Sequence, residues 1–323
     1  MEQAPASAHP GDPAVGDLAA APSADKVTCV VVAISGGTQL ERCVAAIAAQ
    51  SERPAELIIA AGERTPIGSG SIPAAAKLLR SPDNSPVALA ALGLRATTGN
   101  IVALTEDTCI ADREWLASLH DAVRRGHAVA GGVVAPPPSD DAFDRAFYLV
   151  DFFKYSPGRP SGAADSLSVC NVAYDASILN SIRGEWENGF HETRVHDLIA
   201  KRGGLWFTSA AKVTSTRTVS FSGGLGERFR FGRLFAAKRF DRASRLKRVA
   251  YAAGSLALPF ILYGRITRST AGSTQSIGQL LLITPQIFSL LCAWSLGELA
   301  GYGSGRSPQS IAAAPDREST KSS

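Results

Sequence analysis

Residues Val27–Ile34 form a continuous run of apolar and β-branched residues, and this run limits the chain to few folds. A strand of this composition has to be buried on both faces, as the central strands of parallel sheets are. Apolar residues then recur at helical spacing across residues 39–50, and Glu56–Ala60 is a second apolar run. The order of strand, helix and strand predicts an α/β domain with a parallel sheet.

Acidic residues follow the next predicted strand of this domain. Val87–Ala96 has the pattern of a helix, and the apolar run Ile101–Leu104 leads directly into Glu106 and Asp107. In open α/β sheets, ligands bind at the edge formed by the carboxyl ends of the strands. The two acids are therefore candidate site residues.

The rest of the domain is less regular. A strand is expected at Ala128–Val134, and Pro136–Pro138 interrupt the pattern after it. We expect a loop-rich stretch from there to about residue 164, with an aromatic cluster that fits either plain packing or an acceptor groove. Residues 171–179, 192–201 and 205–213 are expected to complete the domain as a strand or turn, a helix and a strand.

Two hydrophobic stretches near the carboxyl end indicate a membrane. Residues 277–301 contain Glu298 as their single charge and are long enough to cross a ~30 Å hydrocarbon core. Residues 249–263 are shorter and contain Pro259, so they fit a tilted, re-entrant or interfacial segment. Together they predict a hydrophobic helical hairpin.

A basic stretch precedes this hairpin. Residues 227–248 carry nine lysines and arginines against two acids, interleaved with phenylalanine and leucine. A basic amphipathic helix beside a hydrophobic segment is typical of a membrane-surface element, and it fits an anionic leaflet better than a nucleic acid. The positive-inside tendency then places the domain on the cytoplasmic side of the inner, cytoplasmic membrane.

These patterns divide the 323-residue chain into five parts. The alanine- and proline-rich start and the polar end are expected to be disordered, and the five scattered cysteines lack a C-x-x-C pair, which favours reduced thiols. The predicted parts are a tail at 1–25, the α/β domain at 26–222, the basic amphipathic segment at 223–248, the hairpin at 249–302 and a tail at 303–323.

The stretch Leu92–Leu116 carries the clearest resemblance to a known family. It contains an L-G-L helix, a glycine, an apolar strand, the cluster Glu106-Asp107-Thr108 and a Trp-Leu helix. This order resembles the family 2 glycosyltransferases over roughly residues 27–235. The resemblance implies the GT-A fold, a Rossmann-like mixed sheet flanked by helices. It also implies a divalent cation, Mg²⁺ or Mn²⁺, that binds the donor diphosphate with Asp107 as the first contact and Glu106 as the second.

A second segment, residues 189–204, resembles the part of the family that carries the general base. The resemblance places this base at Glu192, with Asp197 as the competing acid. Such a base takes the proton of an acceptor hydroxyl and inverts the anomeric carbon. The same resemblance makes Asn171, Arg228 and Arg230 candidate donor contacts. The implied function is transfer of a sugar from a nucleotide or lipid-phosphate donor to a glycan or lipid-linked hydroxyl acceptor in cell-envelope polysaccharide or glycolipid synthesis.

The chain departs from the family pattern at three places. Residues Ala33–Gly36 replace the usual P-T-Y-N end of the first strand, and Ala90–Ala91 replace an Arg-Asn pair. The acid that usually reads the nucleobase is replaced near Ala61. These departures leave open a donor other than a uridine sugar, and a catalytically degenerate domain that acts as a membrane scaffold.

Other enzyme classes are weaker interpretations. His191 and His196 are five residues apart, so on a helix they point about 140° apart and do not form a zinc-protease pair. Neither a G-x-S-x-G elbow nor a phosphate-binding loop with G-K-[ST] occurs. A nucleotidyltransferase would share the α/β core and the acids, and it stays open at this stage.

Overall fold

The computed structural model describes residues 25–68, 70, 72–202, 204–239, 245–270 and 277–304. The two predicted tails lie almost entirely outside these residues. The strands are β1 Val27–Ala33, β2 Glu56–Gly62, β3 Lys77–Ser81, β4 Ile101–Glu106, β5 Cys109–Ala111, β6 Val129–Ala135, β7 Gly162–Ala164, β8 Asn171–Asp175 and β9 Leu205–Ser215. The helices are α1 Gly37–Ala48, α2 Pro86–Arg95, α3 Trp115–Arg124, α4 Ala142–Phe152, α5 Ala176–Ser181, α6 Glu192–Ala200, α7 Phe221–Arg239, α8 Arg245–Ser255, α9 Leu258–Thr270 and α10 Ile277–Ser304.

The strands form one mixed sheet, in the order β3-β2-β1-β4-β8-β6-β9-β5, with β7 paired to β9. Strands β1 to β4 are parallel to one another, while β8 runs antiparallel between β4 and β6. All seven residues of β1 are buried, as its composition predicted. This topology confirms the predicted α/β sheet, and it brings the carboxyl ends of β1, β4, β6 and β9 to one edge.

Helix α2 lies very close to the sheet because of one glycine. A Cβ atom at Gly93 would lie 2.4 Å from a methyl carbon of Val30 on β1. Ser85 caps the start of the helix by accepting a hydrogen bond from the backbone of Ala88. The L-G-L pattern in the sequence therefore marks a close helix–strand contact that fixes the position of β1.

The expectation of a loop-rich stretch up to residue 164 is wrong, because α4 occupies part of it. The Asp141 carboxylate caps this helix through the backbone N–H groups of Phe143 and Asp144, at 2.7 and 3.0 Å. The aromatic residues Phe147 and Tyr148 are buried. Helix α4 packs against α10, and its acids Asp144 and Asp151 are bonded to groups of the domain.

Helices α7 and α10 pack through their backbones. A Cβ atom at Gly232 would lie 2.2 Å from the carbonyl oxygen of Trp294, and one at Gly297 would lie 2.1 Å from that of Phe229. Small residues four apart, here Gly297 and Gly301, are what lets two helices approach this closely. The contact between α7 and α10 is thus formed by glycines, which have no side chain that could rearrange.

Helix α10 also carries the apolar length that the sequence predicted. Gly278–Gly303 is long and apolar enough to cross a membrane, and the pair α8–α9, bent by 53°, would be a second span if it formed one broken segment. One face of α10 packs into the core of the α/β domain through Ile283, Ile287 and Leu290. The C-terminal helices are therefore continuous with the domain core.

Candidate active site

Polar side chains converge where the parallel strands end. Glu106 is the last residue of β4, and the loop after β1 and the segment after β9 border the same edge. Glu192 begins α6 and is tied to this edge, because its carboxylate accepts a hydrogen bond of 2.9 Å from the backbone N–H of Val169, just before β8. The two acids singled out in distant segments thus contribute to one cleft.

The Asp107 carboxylate binds the backbone of the loop after β1. Its carboxylate accepts hydrogen bonds from the backbone N–H groups of Ile34, Ser35 and Gly36, at 3.1, 2.9 and 2.7 Å. Burial raises the pKa of Asp107, and these three N–H groups act against that rise. Both carboxylate oxygens are occupied by the loop after β1, and a role in metal binding stays a prediction.

Glu106 is the acid that faces other charges in the cleft. Burial raises its pKa to about 7, the charge of Arg217 lowers it, and the charges of Asp107, Asp151 and Glu227 raise it further. No hydrogen bond to its carboxylate is found among the described residues. A cation beside Glu106 would restore its ionised form.

Glu192 has the properties of a proton acceptor. Burial raises its pKa to about 8, the charge of Glu106 contributes to this rise, and the Val169 hydrogen bond and Lys154 act against it. The hydrogen bond from Val169 places Glu192 just before β8, and the start of β8 pairs with the end of β4, where Glu106 lies. A general base works best when its pKa is near the operating pH.

Asp197 lies elsewhere on α6. It is exposed, whereas Val195 and His196 on the same helix are buried against the domain. Five residues separate it from Glu192, so the two acids point about 140° apart. The structure brings Glu192, and not Asp197, to the edge of the sheet.

A network of ion pairs forms the other wall of the cleft. Arg228 is buried and pairs with Asp151 of α4 at 2.6 Å, and Arg217 pairs with Glu227. Both guanidinium groups lie over the ring of Phe147, at 5.0 Å for Arg217 and 4.4 Å for Arg228. Both arginines are thereby held in fixed positions, and the charge of Arg217 acts on Glu106.

Two other predicted donor contacts have different positions. Arg230 is exposed on α7. Asn171 is fully buried, and its amide donates hydrogen bonds to the carbonyl oxygens of Val133 and Ala211 while accepting one from the indole N–H of Trp115. The amide of Asn171 thus joins β6, β8, β9 and α3, and its contact with a donor stays a prediction.

Replacing Asn171 with alanine should destabilise the domain. The change leaves two carbonyl oxygens and one indole N–H without their partner inside the core, which should cost about 2–4 kcal/mol. We expect a fall of the melting temperature by several degrees in a thermal unfolding experiment. Asn180→Ala, at an exposed position on α5, is the control. An unchanged melting temperature for Asn171→Ala would contradict the structural role.

The residues of the cleft fit a cation held mainly by Glu106. Within the described ranges, no three histidine, cysteine, aspartate or glutamate side chains lie together as a metal site. Mg²⁺ is often held by one or two carboxylates together with the phosphates of a substrate. Glu106 can supply such a carboxylate, since Asp107 is occupied by backbone and Asp151 and Glu227 are paired with arginines.

Sequence reasoning missed three of these residues. Arg217 comes two residues after β9 ends, so the rule that placed Glu106 at a strand end would also have identified it. Asp151 was missed because α4 was interpreted as a loop. Glu227 was included only as one of two acids in the basic stretch.

Similarity to solved structures supports this architecture. A mannosyltransferase from Pyrobaculum calidifontis, PcManGT, solved in complex with GDP-Man and Mn²⁺, aligns over 85% of this chain and 87% of its own, with 16% identity and a TM-score of 0.50. GalNAc-T7, solved with UDP, GalNAc and Mn²⁺, aligns over 59% of this chain and 44% of its own, with 12% identity and a TM-score of 0.44, too low to support an argument. No protein-family model and no curated protein matches the sequence. The chain therefore has a GT-A-like fold with a C-terminal apolar helix, and the structural neighbours of this fold are glycosyltransferases.

Proposed function

We propose that this chain is an inverting glycosyltransferase that moves a sugar from a nucleotide or lipid-phosphate donor to a hydroxyl acceptor. The observation that carries the proposal is that Glu106 ends β4 and Glu192 is bonded to Val169 just before β8, the strand paired with β4, so both acids lie at one edge of the sheet. The charge of Arg217 acts on Glu106, and burial raises the pKa of Glu192 to about 8. The GT-A-like fold is consistent with this arrangement.

Glu192 performs the proton transfer in the proposed reaction. Its carboxylate takes the proton of the acceptor hydroxyl while the oxygen attacks the anomeric carbon. The bond from that carbon to the donor phosphate breaks, the electron pair leaves with the phosphate, and the configuration inverts. The hydrogen bond from Val169 holds the carboxylate in one orientation for this step.

Glu106, Arg217 and Arg228 hold the donor in the proposed complex. The two guanidinium groups supply positive charge for the phosphates, and they can exchange their pairing with Glu227 and Asp151 for the phosphate oxygens. A divalent cation beside Glu106 would compensate the charge of the leaving diphosphate. The position near Ala61, where the family has its nucleobase-reading acid, is buried and apolar, so specificity for the base has to come from other groups.

The C-terminal helices attach the domain to the inner membrane in this proposal, with the catalytic domain in the cytoplasm. Large apolar side chains are exposed on α9 and α10, among them Phe260, Ile261, Leu281 and Leu282. Such a surface fits lipid better than water. Phe231 and Phe235 of α7 are also more than a third exposed, while Arg228 of the same helix points inward. Synthesis of an envelope polysaccharide or glycolipid would take place at this surface.

Thermal unfolding with donors tests the proposal. We expect GDP-Man or a UDP-sugar together with Mn²⁺ to raise the melting temperature of the full chain in detergent, because a ligand that binds only the folded state stabilises it. Glu106→Gln should remove the Mn²⁺-dependent part of this shift. Glu185→Gln, at an exposed surface glutamate, should leave it intact.

Two other outcomes would point to other functions. If neither a nucleotide sugar nor a lipid-phosphate sugar shifts the melting temperature of the wild-type chain, the transferase proposal fails and the scaffold is favoured. If turnover releases pyrophosphate instead of a nucleoside diphosphate, the chain is a nucleotidyltransferase. An unaltered shift in Glu106→Gln would remove Glu106 from donor binding.

A further inference from the structure

A cavity of about 300 Å³ lies outside the part of the cleft that the proposed reaction uses. This volume is at the lower end of the range for small-molecule sites. The cavity is bordered by the turn after α4, by the segment before β8 and by the end of α9. Its lining residues are Phe153, Lys154, Arg159, Asp165, Ser166 and Ser269.

Arg159 is held rigidly in the wall of this cavity. Its guanidinium donates a hydrogen bond of 2.8 Å to the carbonyl oxygen of Lys154 and lies 4.3 Å above the ring of Phe207. The side chain is half-buried, so little conformational freedom is left to lose when an anion binds. A planar, pre-oriented guanidinium is well suited to bind phosphate or carboxylate oxygens.

The charges and hydroxyls around Arg159 favour an anion. Lys154 and Arg159 contribute two positive charges and Asp165 one negative charge, which leaves an excess of one positive charge. The hydroxyl group of Ser166, which accepts a hydrogen bond from Tyr155, is an additional hydrogen-bond donor. Asp165 is exposed and can turn toward solvent, whereas Arg159 is fixed.

The cavity is connected to the proposed general base. Tyr155, next to Lys154 in the chain, donates a hydrogen bond of 3.1 Å to Ser166, and Val169, three residues later, donates to Glu192. Burial and then the charge of Glu192 raise the pKa of the Tyr155 hydroxyl. The segment that borders the cavity thus also holds Glu192, and the charge of Lys154 in the cavity wall acts on Glu192.

The cavity is also connected to the apolar helices. Ser269, near the end of α9, donates a hydrogen bond of 2.8 Å to the carbonyl oxygen of Phe153. Phe260 and Ile261 are exposed on the same helix, eight to nine residues earlier, or about 12–14 Å along its axis. An anion-binding cavity thus sits at one end of an exposed apolar helix.

We propose that this cavity binds the phosphate group of a lipid-linked acceptor, with the lipid chain lying along α9 and the attacking hydroxyl directed at Glu192. The proposal rests on the transferase function proposed above and names its acceptor class. The same phosphate chemistry could come from free inorganic phosphate. The position of the cavity at the end of α9 favours the lipid, and the two sources are separated by experiment.

Binding of farnesyl monophosphate, a short lipid phosphate, to the full chain in neutral detergent tests the proposal. Calorimetry should show tighter binding of farnesyl monophosphate than of farnesol or inorganic phosphate. Arg159→Gln should weaken this binding about tenfold or more, because it removes a charge-assisted hydrogen bond. Lys154→Gln should also weaken it, and Arg159→Lys should restore part of it.

The controls separate this site from the donor site. Arg183→Gln makes the same charge change at an exposed arginine paired with Glu187, and it should bind as the wild type does. Lys154 is exposed, so Lys154→Gln tests the site even if Arg159→Gln fails to fold. The Mn²⁺-dependent shift with nucleotide sugars should persist in Lys154→Gln.

Three results would overturn the proposal. They are equal binding of farnesol and farnesyl monophosphate, equal binding of inorganic phosphate and farnesyl monophosphate, and wild-type binding by both Arg159→Gln and Lys154→Gln. A chain that binds farnesyl monophosphate through Arg159, yet is not stabilised by any nucleotide sugar or lipid-phosphate sugar, would keep the lipid-phosphate site and lose the transferase function.

Discussion

Replacing Glu192 with glutamine should lower kcat by about 10²–10⁴-fold, the usual contribution of a general base. Glutamine keeps the size of the side chain and can still pair with the backbone N–H of Val169, but it cannot take a proton. Binding of the donor should change little, because Glu106 and the two arginines remain. The release of nucleoside diphosphate from a nucleotide sugar and an acceptor measures the rate.

Asp197→Asn is the matched control on the same helix. This acid is exposed, so its loss should leave the rate within about twofold of the wild type. Full activity in Glu192→Gln together with a large loss in Asp197→Asn would exchange the roles of the two acids.

The pH profile should report the same group. Burial and the charge of Glu106 raise the pKa of Glu192 to about 8, so the active, ionised form decreases about tenfold for each pH unit below that value. The rate of the wild type should rise with pH and level off above pH 8. Stability should change in the opposite direction, because an acid with a raised pKa in the folded state favours folding only while it is protonated. Glu192→Gln should therefore be more stable than the wild type above pH 8, by about 1–2 kcal/mol.

Replacing Gly297 with leucine should separate α7 from α10. Even the Cβ atom of the new side chain would lie 2.1 Å from the carbonyl oxygen of Phe229, and backbone cannot move aside as a flexible side chain can. A loss of about 4 kcal/mol or more is expected for such overpacking where no neighbour can give way. The variant should fail to give a cooperative unfolding transition in detergent, and α7 should become sensitive to protease.

Gly303→Leu on the same helix is the control. A Cβ atom there has no neighbour within 4 Å, and the position is exposed. This variant should unfold like the wild type. If Gly297→Leu also unfolds like the wild type, the close contact between α7 and α10 does not form in the protein.

The sheet could be predicted because its signals are local, and the roles of Glu106 and Glu192 stay predictions. The run at Val27–Ile34 is apolar throughout, so only a strand buried on both faces accommodates it, and Glu106 follows a strand of the same kind. The resemblance then selected Glu192 from several acids in its segment. These predictions needed no distances between remote residues, because an acid that ends a strand is adjacent to that strand in the sequence.

The arginine network and α4 could not be predicted in the same way. Asp151 pairs with Arg228 across 77 positions of the chain, and nothing in either neighbourhood indicates the other. Helix α10 packs on α4, and the aromatic residues Phe147 and Tyr148 of α4 are buried. The three N–H groups that bind Asp107 belong to backbone, which leaves no residue type to recognise.

Because α7 and α10 are in backbone contact, the α/β domain depends on the C-terminal helix. Helix α7 carries Glu227 and Arg228, and it packs against α10. Helix α4 carries Asp151, and it packs against the same helix. A chain cut before residue 277 would lose the support beneath both helices. The apolar helix is therefore a structural part of the proposed donor site, and a fragment that ends at the sheet would keep the strands without the ion pairs of α4 and α7.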